Sequence, residues 1–145
     1  MGLDNNIQCV VHGLVLNRSK ILVYKVQDKV KKKSFFRLIG GHIEFGESAS
    51  DALKREFKEE IDEDIEIIQK LKVFENMFTY KGKGQHEFVS LFEVKFISKK
   101  PYDENIIIGH EGPHRTFEAK WIDISDFDGV QKVLYPPEVL EYLSK

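Results

Sequence analysis

The segment 49–61, ASDALKREFKEEI, constrains the fold more than any other part of the chain. At about 100° per residue, Ala49, Leu53, Phe57 and Ile61 line up as one apolar stripe with Ala52 at its edge, which predicts an amphipathic helix. Ser48 is its N-cap, and Asp51 completes the spacing of a capping box. Such a stripe needs a surface to pack on, and the flanking sequence offers strands. Ile7 to Leu16 and Lys20 to Gln27 are rich in Val, Ile and Leu and are separated by Asn17-Arg18-Ser19. Phe35 to Ile39 reads as a third strand, after which Gly40-Gly41 breaks the pattern. Ile65 to Tyr80 and Glu87 to Ile97 flank the turn Lys81-Gly82-Lys83-Gly84, a hairpin signal. A polar loop from Ser98 to Thr116 precedes a strand at Phe117 to Ile122, and Pro136-Pro137 opens a short helix through Leu143. Strands outnumber helices and the helices are dispersed among them, so an α/β or α+β sandwich with a mixed sheet is expected.

A length of 145 residues predicts a single domain, 1–145. The apolar fraction of 41%, with eleven Phe, five Tyr and one Trp, supplies a core and excludes general disorder. With 22 Lys and Arg against 24 Asp and Glu, the net charge of -2 gives no positive field for bulk nucleic acid. A small phosphorylated ligand stays compatible with that balance, because local charge or a bound metal can serve it. The short basic patch Lys29 to Lys33 reads as a solvated hairpin turn. Cys9, the single cysteine, reads as a buried small hydrophobe and excludes a disulfide scaffold. No run approaches the roughly 20 apolar residues of a membrane span, and Met1 to Asn6 lacks the regions of a signal peptide. Met1-Gly2 begins like a myristoylation signal, but Asn6 stands where that signal wants Ser or Thr. A soluble, cytoplasmic protein is expected.

The helix breaks its own pattern. Glu56 falls between Ala52 and Ala49 on the wheel, Glu60 falls between Ala49 and Leu53, and Glu59 sits just outside Ala52. Lys54 and Lys58 project to the far side, leaving only Arg55 beside the acids. Like charges three or four residues apart cost an isolated helix about 0.2–0.5 kcal/mol per pair, and partial burial adds a desolvation penalty. Three oxygen ligands on one turn suit a hard divalent ion such as Mg²⁺ or Mn²⁺. The same spacing also admits glutamates that lean into water, and spacing alone does not choose. Gly40-Gly41, able to bring bare backbone close to a ligand, and Glu47 beside the helix start favour a site.

Gly41-His-Ile-Glu-Phe-Gly-Glu47, followed after seven residues by Arg55-Glu56-Phe57-Lys58-Glu59-Glu60, resembles the Nudix box of MutT-like bacterial proteins. Every position that the pattern specifies from Gly41 to Glu60 is matched. The tail departs from it, with Asp62 where the family has Gly and Glu63 where it has an apolar residue. That departure puts the backbone path after Glu60 in question, and Ile65 is a candidate to take over the apolar role. The strand Phe117-Glu-Ala-Lys-Trp121 and the Pro136-Pro137 segment also look like the closing parts of such proteins.

The resemblance implies a Nudix-type α/β/α sandwich with a mixed sheet and a loop–helix–loop motif. It implies Mg²⁺- or Mn²⁺-dependent hydrolysis of a phosphoanhydride in a nucleoside diphosphate linked to another moiety. A nucleotide-binding sensor without catalysis is the alternative. Glu56, Glu59 and Glu60 are then metal ligands, with Glu59 or Glu60 favoured as general base. Arg55 orients a helical glutamate, and Glu47 completes that arrangement or approaches a metal. The Gly40 carbonyl often coordinates metal in the family. Glu111 occupies the place of a late-loop carboxylate, with Glu118 and Glu87 as rivals, and His110 and His114 lie in the same loop without a zinc spacing. The implied partner is a small-molecule nucleotide, with no bulk nucleic acid and no membrane; a homodimer is left open. Phe35, Phe36, Phe45, Phe78 and Tyr80 could each stack on a base or belong to core or rim.

Overall fold

The computed structural model describes residues 6–143, so the readings made on Met1 and Gly2 lie outside the described residues. Every residue from Val10 to Val15 of β1 (Gln8–Asn17) is buried, which a strand manages only when both of its faces are covered. β1 pairs in parallel with β6 (Lys83–Phe96), in register from Gln8–Glu87 to Val15–Val94, and antiparallel with β4 (Ile39–His42). β6 also pairs antiparallel with β5 (Ile65–Tyr80), across a turn in which Lys81 and Gly82 both have positive φ, 53° and 79°. That is the backbone of a tight hairpin, one that a glycine eases. The first sheet is therefore mixed, ordered β4-β1-β6-β5.

At its far end β1 passes through Leu16–Ile21 pairing into β2 (Lys20–Asp28), which builds the second sheet. There β2 lies between β3 (Lys33–Arg37) and β8 (Arg115–Asp123), with β7 (Ile106–Glu111) beyond β8 and β9 (Leu134–Tyr135) beyond β3. Val11 and Val15 pack with Leu53, Phe57 and Ile61 of α1 (Ala49–Ile61). On the opposite side Val10, Leu14, Ile21 and Leu38 pack with Val139 of α2 (Glu138–Leu143). One helix therefore covers each side, as an α/β/α sandwich requires. Among the described residues no helix is long and apolar enough to cross a membrane.

Several local expectations are corrected. Phe35 to Ile39 is not one strand, because Leu38 separates β3, which pairs with β2, from β4, which pairs with β1. Gly40 and Gly41 do not break the pattern but pair with His12 and Val11 inside β4. Glycine is needed there for closeness: a Cβ on Gly40 would run into the Val11 carbonyl oxygen and one on Gly41 into the Glu56 carboxylate. The stretch from Ser98 to Thr116 is no loop, since it holds a 3₁₀ turn at Lys100–Asp103 and β7. The β-branched run Ile106 to Ile108 was its strand signal. Cys9 is exposed, because burial on its face of β1 begins only at Val11.

The helix end answers the question raised by Asp62. It adopts the left-handed conformation, φ 54° and ψ 43°, and its N–H donates to the Lys58 carbonyl at 3.1 Å. Asp62 thus closes the helix in the geometry for which glycine is usually used. The chain then turns into β5, where Ile65 is buried in the α1 core.

Candidate active site

α1 begins where the Ser48 Oγ accepts from the Asp51 N–H at 3.1 Å, and this cap fixes the exit of the loop from β4. Across that loop, Arg55 joins everything that the motif contributes. Its Nε donates to Glu47 Oε2 and its Nη2 to Glu47 Oε1, both at 2.8 Å. Nη2 also donates to the His42 carbonyl at 3.0 Å, while Nη1 reaches Glu56 Oε1 at 2.8 Å and Glu59 Oε2 at 3.3 Å. The planar fork is saturated by one strand end, one loop acid and two helical acids. Hydrogen bonds from Arg55 and from the Glu44 N–H hold the Glu47 carboxyl down at a pKa of about 2.

The three helical acids differ by depth. The Glu59 side chain is 60% exposed, that of Glu56 is 16% exposed, and Glu60 as a whole is 7% exposed. Burial raises the pKa of Glu56, against the opposing pull of Arg55. Glu60 has no such partner, and its Oε2 is buried without a hydrogen bond. Burial first, then the charges of Glu56 and Glu111, push its pKa up to about 8. Among the described residues, no three acids or imidazoles are already gathered around one point, since Arg55 draws Glu56 and Glu59 toward itself.

Gly40 lies in β4, opposite His12 of β1, and β4 packs beside this helix. Glu111 ends β7, exposed but near enough for its charge to act on Glu60. Glu118 turns to solvent and lies 3.9 Å from Lys120. Glu87 is buried in β6 and belongs to a different recess, and His110 and His114 are exposed at the β7–β8 turn.

That recess is a cavity of about 120 Å³ lined by Phe35, Phe78, Tyr80 and Tyr135 together with His12, Arg37 and Glu87. Of the other aromatic candidates, Phe36 packs on Phe127 in the α2-side core and Phe45 is fully exposed. The sequence reading missed His12 and Arg37. His12 is 1% exposed with both ring nitrogens unpartnered, and burial, reinforced by Arg37, lowers its pKa to about 3. The positive charge of Arg37 also bears on Glu60 and Glu87, so it stands between the acidic helix and the recess. A lone Arg inside the apolar run 35–39 was the available signal.

Two twisted sheets between helices, with acids on the sheet-facing turn of one helix clamped by an arginine, define an α/β/α protein with a loop–helix site. The chain belongs to the NUDIX domain family, whose model matches residues 8–141. It is 28% identical over 108 residues to an uncharacterized Nudix hydrolase of Nostoc sp., a match covering 74% of this chain and 50% of that relative. The chain thus matches half the length of the curated relative. The fold is shared with a MutT NUDIX hydrolase from Burkholderia pseudomallei, at a TM-score of 0.70 and 15% identity, over 97% of this chain and 99% of that one. A NUDIX hydrolase from Nitrosomonas europaea matches at a TM-score of 0.67 and 19% identity, over 96% of this chain and 87% of that one.

Proposed function

We propose that this protein is a divalent-cation-dependent pyrophosphohydrolase that cuts a phosphoanhydride bond in a nucleoside diphosphate linked to another moiety. The buried Glu60 carries this reading. A carboxylate with an unpartnered buried oxygen and three acids for neighbours is stable as an anion only beside a cation; Arg55 is already spent on Glu47, Glu56 and Glu59, and the charge of Arg37 falls short of offsetting the burial and the neighbouring acids. Glu56, Glu59, Glu60, Glu111 and the Gly40 carbonyl are hard oxygen donors that fit Mg²⁺ or Mn²⁺. When bound, the ion neutralises the diphosphate oxygens and lowers the pKa of a coordinated water.

The chain's own residues supply the rest. Arg55 and Glu47 lock the loop to the helix and set the direction of Glu56. Glu59 or Glu60 removes the proton from the attacking water, a task for which a carboxylate must lie within hydrogen-bond reach. Phe35, Phe78, Tyr80 and Tyr135 offer flat apolar faces to a base. The altered motif end at Asp62 and Glu63 is the feature that would favour the nucleotide-sensor alternative, and the regular closure of α1 at Asp62 weakens that ground.

The test is a nucleotide panel assayed for released phosphate and nucleoside monophosphate, with EDTA and with Glu59→Gln and Glu60→Gln. Cleavage is expected only with the divalent ion and is lost in at least one variant. Cleavage that persists in EDTA and in both variants would overturn the assignment.

A further inference from the structure

β2 pairs with β8 from Lys20–Asp123 to Tyr24–Ala119 and no further. Beyond that point β2 continues to Asp28 while β8 runs back toward the β7 turn, so the strands part. A groove of about 430 Å³ opens between them, lined by Lys25, Lys29, Arg37, Lys81 and Arg115, with Glu111 its single acid. Some surface cations sit beside acids, as Lys58 does with Asp62 and Asp64 and Lys95 with Glu66; what sets the groove apart is that its cations converge on one concavity. Among the described residues Lys25, Lys29, Lys81 and Arg115 have no ion-pair partner, and Lys81 instead lies over the Tyr80 ring at 5.2 Å. In a chain of net charge -2, five cations gathered around one concavity repel one another unless an anion joins them.

The position of the groove says which anion. Its lining includes Arg37 and Glu111, whose charges both act on Glu60 of the acidic helix. Arg37 and Tyr80 also line the aromatic recess. A ligand with its base in the recess and its diphosphate at the helix therefore has the groove as the outlet for whatever lies beyond. We infer that this groove holds an anionic polyphosphate extension of the substrate, so that the enzyme prefers nucleotides with further phosphates, such as nucleoside triphosphates or dinucleoside polyphosphates, over nucleotide sugars. The order of cleavage follows the hydrolase reading above and rests on it, whereas the groove's affinity for a polyphosphate does not.

Two measurements separate these. Inorganic tripolyphosphate is titrated calorimetrically into the wild-type protein in EDTA at low salt, and then into Lys29→Gln/Arg115→Gln. Saturable binding is expected, weakened about tenfold or more in the double variant and by raising the salt well above physiological strength. Absence of saturable binding, or binding indifferent to the variant, overturns the groove. In the second measurement kcat/KM is compared for a nucleoside triphosphate, a dinucleoside polyphosphate and a nucleotide sugar with Mg²⁺. Preference for the first two is expected, with the ratio falling about tenfold in the double variant as the cations are removed. A preference for the sugar, or an unchanged ratio, overturns the specificity. If nothing is cleaved, the hydrolase reading fails while the tripolyphosphate titration still decides the groove.

Discussion

Arg55 and Glu47, eight residues apart, meet in a two-pronged pair with both hydrogen bonds at 2.8 Å. The pair ties the loop that leaves β4 to the second turn of α1, and the remaining donors of the same guanidinium aim at Glu56 and Glu59. Lysine offers a point charge and cannot copy that fork. Arg55→Lys should therefore lower kcat about 10- to 100-fold with a smaller change in KM, as expected for a residue that positions ligands. Steady-state kinetics checks this, and an unaltered kcat would separate Arg55 from the chemistry.

Glu47 gives the acid side of the stability profile a defined sign. Its folded pKa of about 2 lies below the ordinary 4.5, so the contribution is present above 4.5 and is lost as pH falls toward 2. Glu47→Gln should flatten that part of the profile in urea melts between those pH values.

Glu60 acts in the opposite direction. Its folded pKa of about 8 lies above the ordinary 4.5, so the metal-free folded state holds a proton that the unfolded chain releases. The stability tied to this group is complete below 4.5 and lost as pH climbs through 8. In EDTA, Glu60→Gln should gain on wild type by about 1–3 kcal/mol between pH 5 and pH 9, while its hydrolysis falls about 10²- to 10³-fold. Paired denaturation curves at the two pH values test the first half and product release tests the second.

Gly40 and Gly41 should separate stability from activity. A methyl on Gly41 meets the end of the flexible Glu56 side chain, whereas one on Gly40 meets the Val11 carbonyl of the paired strand. Gly41→Ala is expected to cost less than about 1 kcal/mol yet depress activity strongly, because Glu56 must swing away. Gly40→Ala should cost about 1–3 kcal/mol by forcing β4 from β1. Equal stability losses in thermal melts would contradict this contrast.

Asp62 holds a left-handed backbone that glycine adopts without strain. Asp62→Gly gives up the exposed contact of Asp62 with Lys58 at 3.4 Å but relieves the backbone. A net gain of about 0.5–1 kcal/mol is expected, equivalent to roughly 1–4 °C in Tm. A lower Tm would mean that the Lys58 contact outweighs the backbone strain.

Much of this was written in local patterns. The stripe Ala49, Leu53, Phe57 and Ile61 predicted α1 with the bounds that the structure has, because helical period and cap are set by residues within one turn of each other. The spacing from Gly41 to Glu60 likewise brought Glu47, Arg55 and the three helical acids forward as a group. β7 was overlooked because a polar context masked its three isoleucines, and β4 because two glycines look like a turn until a neighbouring strand and a carboxylate are pressed against them.

The sequence alone determined which residues form the acidic turn and what they resemble, since those relationships span a few covalent steps along one helix. The tertiary structure alone decided that Glu60 is buried and unpartnered while Glu59 faces water, that Arg37 and His12 stand near the site, and that five cations share one groove. Burial and charge proximity depend on which distant strands come together, and β1, β2 and β8 meet only after the chain has crossed from one sheet to the other. No local period encodes such a meeting, because the distances that set desolvation and Coulomb energy are distances through space.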